Sequence, residues 1–246
     1  MNRTTLALLA VLAPAAAIGA TTKDAWKNCL DNGAGMTGCS ITELDRLHPI
    51  LTASYRSALA LQTADRARLV TVQQAWEAYS EAACDYASST QGKDSGMLNT
   101  FNSMARKGCL VQKTRHRIYE LSAKGMRELS SQNPTSNAFM SCSNGATDLA
   151  TSSKCLEAEL ARDDKILNAT YRKSLKTAAE NDKKLGVASG DERLNLIRAE
   201  RRWIVFRDAQ CRYLAERQSA QEPRLTDLRC RAVMTKYRTR DLSNGE

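Results

Sequence analysis

The 246-residue chain carries 36 Lys and Arg against 27 Asp and Glu, a formal charge of +9, and holds 8 Cys but only 2 His. Cations and anions are interspersed rather than blocked, which reads as a solvated helical surface drawn toward anionic partners such as envelope polymers or lipid head groups. Two His and no CxxC spacing give a zinc or haem site little to work with, so neither a metal nor a cofactor is expected.

Arg3, an apolar run from Leu6 to about Ala17 and the small residues Ile18-Gly19-Ala20 lay out a secretory signal peptide over residues 1–20. The run is too short to cross a bilayer and no later run approaches about twenty apolar residues, so no transmembrane segment is expected. No Cys follows the expected cut after Ala20, which argues against a lipid anchor. The mature chain then carries 35 Lys and Arg against 27 acids, a balance of +8. Export disfavours nucleic acid as a partner, and no basic run is interleaved with stacking aromatics. An even Cys count in an exported chain reads as a disulfide framework in a periplasmic or secreted protein.

After the leader, Ser40-x-x-Glu43 is a capping-box pattern, and Leu44, Leu47, Leu51, Tyr55 and Leu59 follow at helical spacing. Pro49 interrupts them, so this helix is expected to kink or to begin there. A second helix is expected from near Thr63 to about Tyr86, with Leu69, Val72, Trp76, Tyr79 and Ala83 on one face. Residues 87–96 read as a loop. A third helix carries Phe101, Met104, Cys109, Ile118 and Leu121, with Leu129 as a candidate continuation. Residues 131–141 read as a linker. Beyond it, Leu156, Leu160, Leu167, Tyr171 and Leu175 mark a helix without Pro. Ser189-x-x-Glu192 caps the next helix, which buries Leu196, Ala199, Trp203, Phe206 and Tyr213, and Pro223 suits the first position of the last one.

These elements repeat. Cys39 to Tyr55 and Cys155 to Tyr171 both span 16 positions, and Trp76 to Cys84 and Trp203 to Cys211 both span 8. The run Cys109, Thr114, Arg117, Leu121 returns as Cys230, Thr235, Arg238, Leu242. Tyr to Trp takes 32 positions in the second copy against 21 in the first, so a longer turn is expected there. The chain thus reads as all-α: two tandem, disulfide-stapled three-helix modules over residues 21–130 and 142–246. Tyr55, Trp76, Tyr171 and Trp203 are the expected core aromatics. Each module has four Cys, namely Cys29, Cys39, Cys84 and Cys109, then Cys142, Cys155, Cys211 and Cys230, and three pairings are open to each. Short-range pairing (29–39, 84–109, 142–155, 211–230) is favoured; the rival joins Cys39 to Cys84 and its equivalent.

Catalysis finds little support. His48 and His116 align with Asp164 and Tyr237, so neither is a shared base for a nucleophile. Glu43 aligns with Glu159 and Glu81 with Asp208, which invites comparison with paired glycosidase carboxylates. Capping acids and structural ion pairs, with Arg117 and Arg238 as candidate partners, are the readings favoured for them, and no catalytic residue is assigned.

The shared motifs resemble those of the domain family named for the lysozyme inhibitor LprI, whose pattern runs L-N-x2-Y, L-x3-Q-x2-W-x3-R-D-x2-C and C-x4-T-x2-R-x3-L. Copy two keeps Leu167-Asn168-x2-Tyr171 and Trp203-x3-Arg207-Asp208-x2-Cys211 but has Glu200 for the Gln; copy one keeps Leu69, Gln73 and Trp76 but has Thr52 for the Asn and Ser80-Glu81 for Arg-Asp. The resemblance covers nearly the whole mature chain and implies an exported, helical, disulfide-bonded, non-enzymatic module, with a lysozyme or another wall-active hydrolase as its partner. Lys93, in the loop over residues 87–96, is the candidate binding residue for an acidic cleft. The alternative is an envelope structural or stress protein that binds anionic polymer or lipid surfaces through basic helical faces.

Overall fold

The computed structural model describes residues 28–29, 31–32, 35–61, 65–90, 98–184, 191–217 and 222–244. The leader, Lys93 and Ser189 lie outside them. The described residues form eight helices and no strand. Copy one supplies α1 (Met36–Leu61), α2 (Arg66–Ser89) and α3 (Leu98–Leu121), followed by the short α4 (Ala123–Ser131) and α5 (Asn137–Ser143). Copy two supplies α6 (Leu149–Lys184), α7 (Asp191–Arg217) and α8 (Pro223–Asn244).

Several boundaries differ from the sequence reading, each for a local reason. Helix α1 already begins at Met36 and runs through Pro49, so Ser40 is a buried interior residue at 2 % exposure rather than a cap. Its partner in the expected box, Glu43, turns instead to Arg46 and Arg115. Helix α3 stops at Leu121 because Ser122 accepts from the Gly125 amide at 3.1 Å and starts a new helix. Leu129 therefore sits on α4. The stretch expected as a linker carries α5, capped by Ser136 on the Phe139 amide at 3.0 Å. Phe139 is buried against Leu156, Leu225 and Leu228, so this stretch is anchored on copy two through that side chain.

The four disulfides join Cys29 to Cys39, Cys84 to Cys109, Cys142 to Cys155 and Cys211 to Cys230, all within a copy. In each copy the third helix packs on both others, α3 on α1 and α2, and α8 on α6 and α7. The most extensive helix contact crosses between copies, α2 against α7. Leu69, Val72, Trp76 and Tyr79 of α2 thereby share one apolar core with Leu196, Trp203, Phe206 and Tyr213 of α7.

Candidate functional site: a cleft between the two copies

The cleft grows out of the way the copies meet. Tyr79 and Phe206 stand three residues after the two tryptophans, and their rings stack across the boundary at 5.7 Å and 11°. Arg117 lies over the Phe206 ring at 5.5 Å and Arg238 over the Tyr79 ring at 5.8 Å. Residues at matching positions thus exchange partners, the signature of an isologous interface, here between two halves of one chain. His116 and Tyr237, also at matching positions, meet edge to face at 6.2 Å.

Both arginines are buried, Arg117 at 0 % and Arg238 at 1 % exposure. Arg117 donates to Gln73 at 3.1 Å, to Glu120 at 3.1 Å and across the boundary to Gln210 at 2.9 Å. Arg238 donates to Glu200 at 2.9 Å. Each guanidinium keeps one nitrogen, Nη2, without a hydrogen-bond partner among the described residues.

In front of the paired rings an inner recess of about 40 Å³ is lined by Trp76, Tyr79, Trp203, Phe206, Lys113 and Arg238. It adjoins, through His116, Glu120 and Tyr237, an outer cleft of about 170 Å³ that also takes in Tyr119, Gly125, Glu128 and Arg240. Glu128 accepts from the Tyr119 hydroxyl and, at 3.3 Å, from the Tyr237 hydroxyl. That carboxylate raises the Tyr119 pKa; Tyr237 is raised by burial first and by Glu128 second. Glu120 lies 3.4 Å from the His116 ring nitrogen on its other side. Both carboxylates are thus occupied as hydrogen-bond acceptors, with aromatic faces around them. Among the described residues Glu120 is bound by Arg117 and Glu128 by the two phenols.

The family model described as lysozyme inhibitor LprI matches residues 27–121 and again residues 142–242. The chain belongs to the lysozyme inhibitor LprI family. No curated protein and no solved structure matches it. Helix α4 falls between the two LprI matches, yet it brings Gly125 and Glu128 to the cleft. The outer cleft is therefore a product of joining two LprI copies in this order.

The two LprI cores bury Trp76 at 6 % and Trp203 at 3 % exposure, with Tyr55 and Tyr171 partly buried against them. The expected pairing of Arg117 and Arg238 with the aligned acids is corrected. Glu43 is held by Arg46 and Arg115, each at 2.7 Å, and Glu159 by Ser136 at 2.7 Å, Lys236 at 3.0 Å and Arg162. Burial opposes ionisation of both glutamates, but these donors overcome it and hold their pKa below the ordinary value. Asp208 pairs with Arg207 at 3.0 Å and Arg231 at 2.7 Å. No group of three His, Cys, Asp or Glu among the described residues is placed to hold a metal. His116 and Tyr237, aligned in the sequence but given no joint role there, are brought together here. Their matching place just before Arg117 and Arg238 was the signal in the sequence.

Proposed function

We propose that this chain is an exported, non-enzymatic inhibitor that binds a lysozyme or another wall-active hydrolase. The observation that carries the reading is the LprI family match over both copies. Four disulfides suit an oxidising compartment outside the cytoplasm, in the periplasm or beyond. No helix among the described residues is long and apolar enough to cross a membrane. Lys93, which falls between α2 and α3 in the sequence, is the proposed contact for acidic groups in the hydrolase cleft.

The test is clearing of a cell-wall suspension by lysozyme in the presence of the intact mature protein. Inhibition at micromolar concentration is expected, and Lys93→Glu should weaken it roughly tenfold, with the wild-type effect falling as salt rises. No inhibition by the intact protein would overturn the inhibitor reading. Full inhibition by Lys93→Glu would remove the loop while leaving the inhibitor.

A further inference from the structure

The repeat supplies its own internal comparison, because residues that the fold needs recur in both copies and residues with another task need not. On α7 the face turned away from the core carries Leu194, Arg198, Arg201 and Val205, spaced at four, three and four residues and all exposed. Leu194 and Val205 are 51 % and 54 % exposed. In the register that aligns Trp203 with Trp76, the same face of α2 carries Ala67, Thr71, Gln74 and Ala78. Beside α7, the outer face of α6 carries Lys165, Arg172, Lys176 and Lys183, all exposed. The matching positions on α1 are Pro49, Arg56 and Ala60, while Lys183 lies in the longer helical arm that copy one lacks. Helices α6 and α7 pack on each other along the hairpin.

Counter-charge on this face is sparse. Lys176 has Glu180 at 3.9 Å. Of the other acids of the hairpin, Glu200 holds Arg238, Asp182 accepts the Glu192 and Arg193 amides and Glu192 takes Asn181, all turned inward, while Asp191 and Glu216 are exposed and Asp164 and Asp208 are engaged by Arg207. The exterior of the hairpin is thus more basic than the matching face of copy one, with Leu194 and Val205 at either end of the arginine pair.

We propose that the outer face of the α6–α7 hairpin docks the protein on the surface of an anionic phospholipid bilayer. Charge complementarity selects an anionic partner, since each Lys or Arg near such a surface contributes to binding. Leu194 and Val205 select the bilayer: hydrocarbon beside the arginines gains from entering the headgroup boundary, whereas a hydrated acidic glycan offers it nothing. The contact is peripheral, as no described helix can span a membrane. It is separate from the inter-copy cleft and independent of any lysozyme activity.

The experiment is co-sedimentation of the mature protein with phosphatidylcholine vesicles, with and without phosphatidylglycerol as a third of the lipid. Binding is expected only with the anionic lipid. Arg198→Glu with Arg201→Glu should weaken it about tenfold or more, while Arg56→Glu with Arg66→Glu, the same change of net charge on copy one, should alter it less than about twofold. Circular dichroism confirms that both variants are folded. Leu194→Ser with Val205→Ser should weaken vesicle binding severalfold. Equal loss in the two charge variants would reduce the effect to net charge and overturn the proposal. So would binding to a soluble acidic polysaccharide without binding to vesicles, or vesicle binding untouched by the serine pair.

Discussion

Gln73 and Glu200 stand at the same position of the two copies, and the arginines they hold differ accordingly. Burial pulls the Arg117 pKa down, with Glu120, Tyr213 and Tyr55 only partly opposing it. Burial acts on Arg238 in the same way, but Tyr79, Glu200 and Asp241 outweigh it and the pKa rises. A sharper case is Asp163, which occupies the position where copy one has the core residue Leu47. Desolvation, opposed by Lys236 and reinforced by Glu159, pushes its pKa from the ordinary 3.8 to about 6. Lys236 sits 3.7 Å from Oδ2, too far for a hydrogen bond, and that oxygen has no other partner among the described residues. Because the folded pKa is raised, the neutral acid is favoured on folding below about pH 4, and that contribution is lost as pH rises through about 6. Asp163→Asn should therefore stabilise the protein more near pH 7.5 than near pH 4.5, by about 2 kcal/mol. Urea midpoints of both proteins at the two pH values check this. An equal effect at both would show that Asp163 is ionised without penalty. The lowered pKa of Glu43 and Glu159 works in the opposite sense, lending stability that is lost as pH falls below about 4.5, and it is common to both proteins compared.

At the scale of the elements, helix identity was legible and helix ends were less so. The stripes Leu69, Val72, Trp76, Tyr79 and Leu196, Ala199, Trp203, Phe206 are all buried, because an apolar period of 3.6 needs no knowledge of what lies opposite. Pro223 opens α8 as its missing amide proton suggests. Ser40 misled because a capping side chain looks the same in sequence whether or not the chain upstream is already helical. The polar run before Phe139 misled in the other direction: one buried aromatic and the Cys142–Cys155 staple suffice to fix α5 against copy two. Gly125 was invisible for a different reason. Nothing in the sequence shows that the α3–α4 turn brings the Tyr119 carbonyl to 2.1 Å from where a Cβ would lie at this position. Gly125→Ala should therefore force α4 outward, cost about 1–3 kcal/mol and displace Glu128 from Tyr119 and Tyr237. Thermal unfolding reads the loss, and the ionisation of tyrosine followed by absorbance reads the displacement, since Glu128 raises both phenols. An unchanged midpoint would mean that the turn relaxes freely.

At the scale of the molecule, the repeat was plain in the spacing of Cys, Tyr and Trp, but the sharing of the core was not. Periodicity says which face of a helix is buried, and it is silent on which helix covers that face. Read as two modules, the chain implies that damage at one tryptophan stays in its own copy. The structure places Trp76 and Trp203 in one core and locks the halves together by the Tyr79–Phe206 stack, the Arg117–Gln210 bond at 2.9 Å and the Lys113–Asp241 pair at 3.3 Å. An interface whose apolar residues are continuous with both interiors resembles that of an obligate dimer, in which neither half is stable alone. The intact protein should then unfold in a single transition with its disulfides intact, with calorimetric and van't Hoff enthalpies equal. Trp76→Ala and Trp203→Ala should each lower that one transition, by about 3–5 kcal/mol, and each should disturb the aromatic circular dichroism of both halves. Two resolved transitions, of which each variant shifts only one, would show that the copies fold separately and that the contact between α2 and α7 forms after folding.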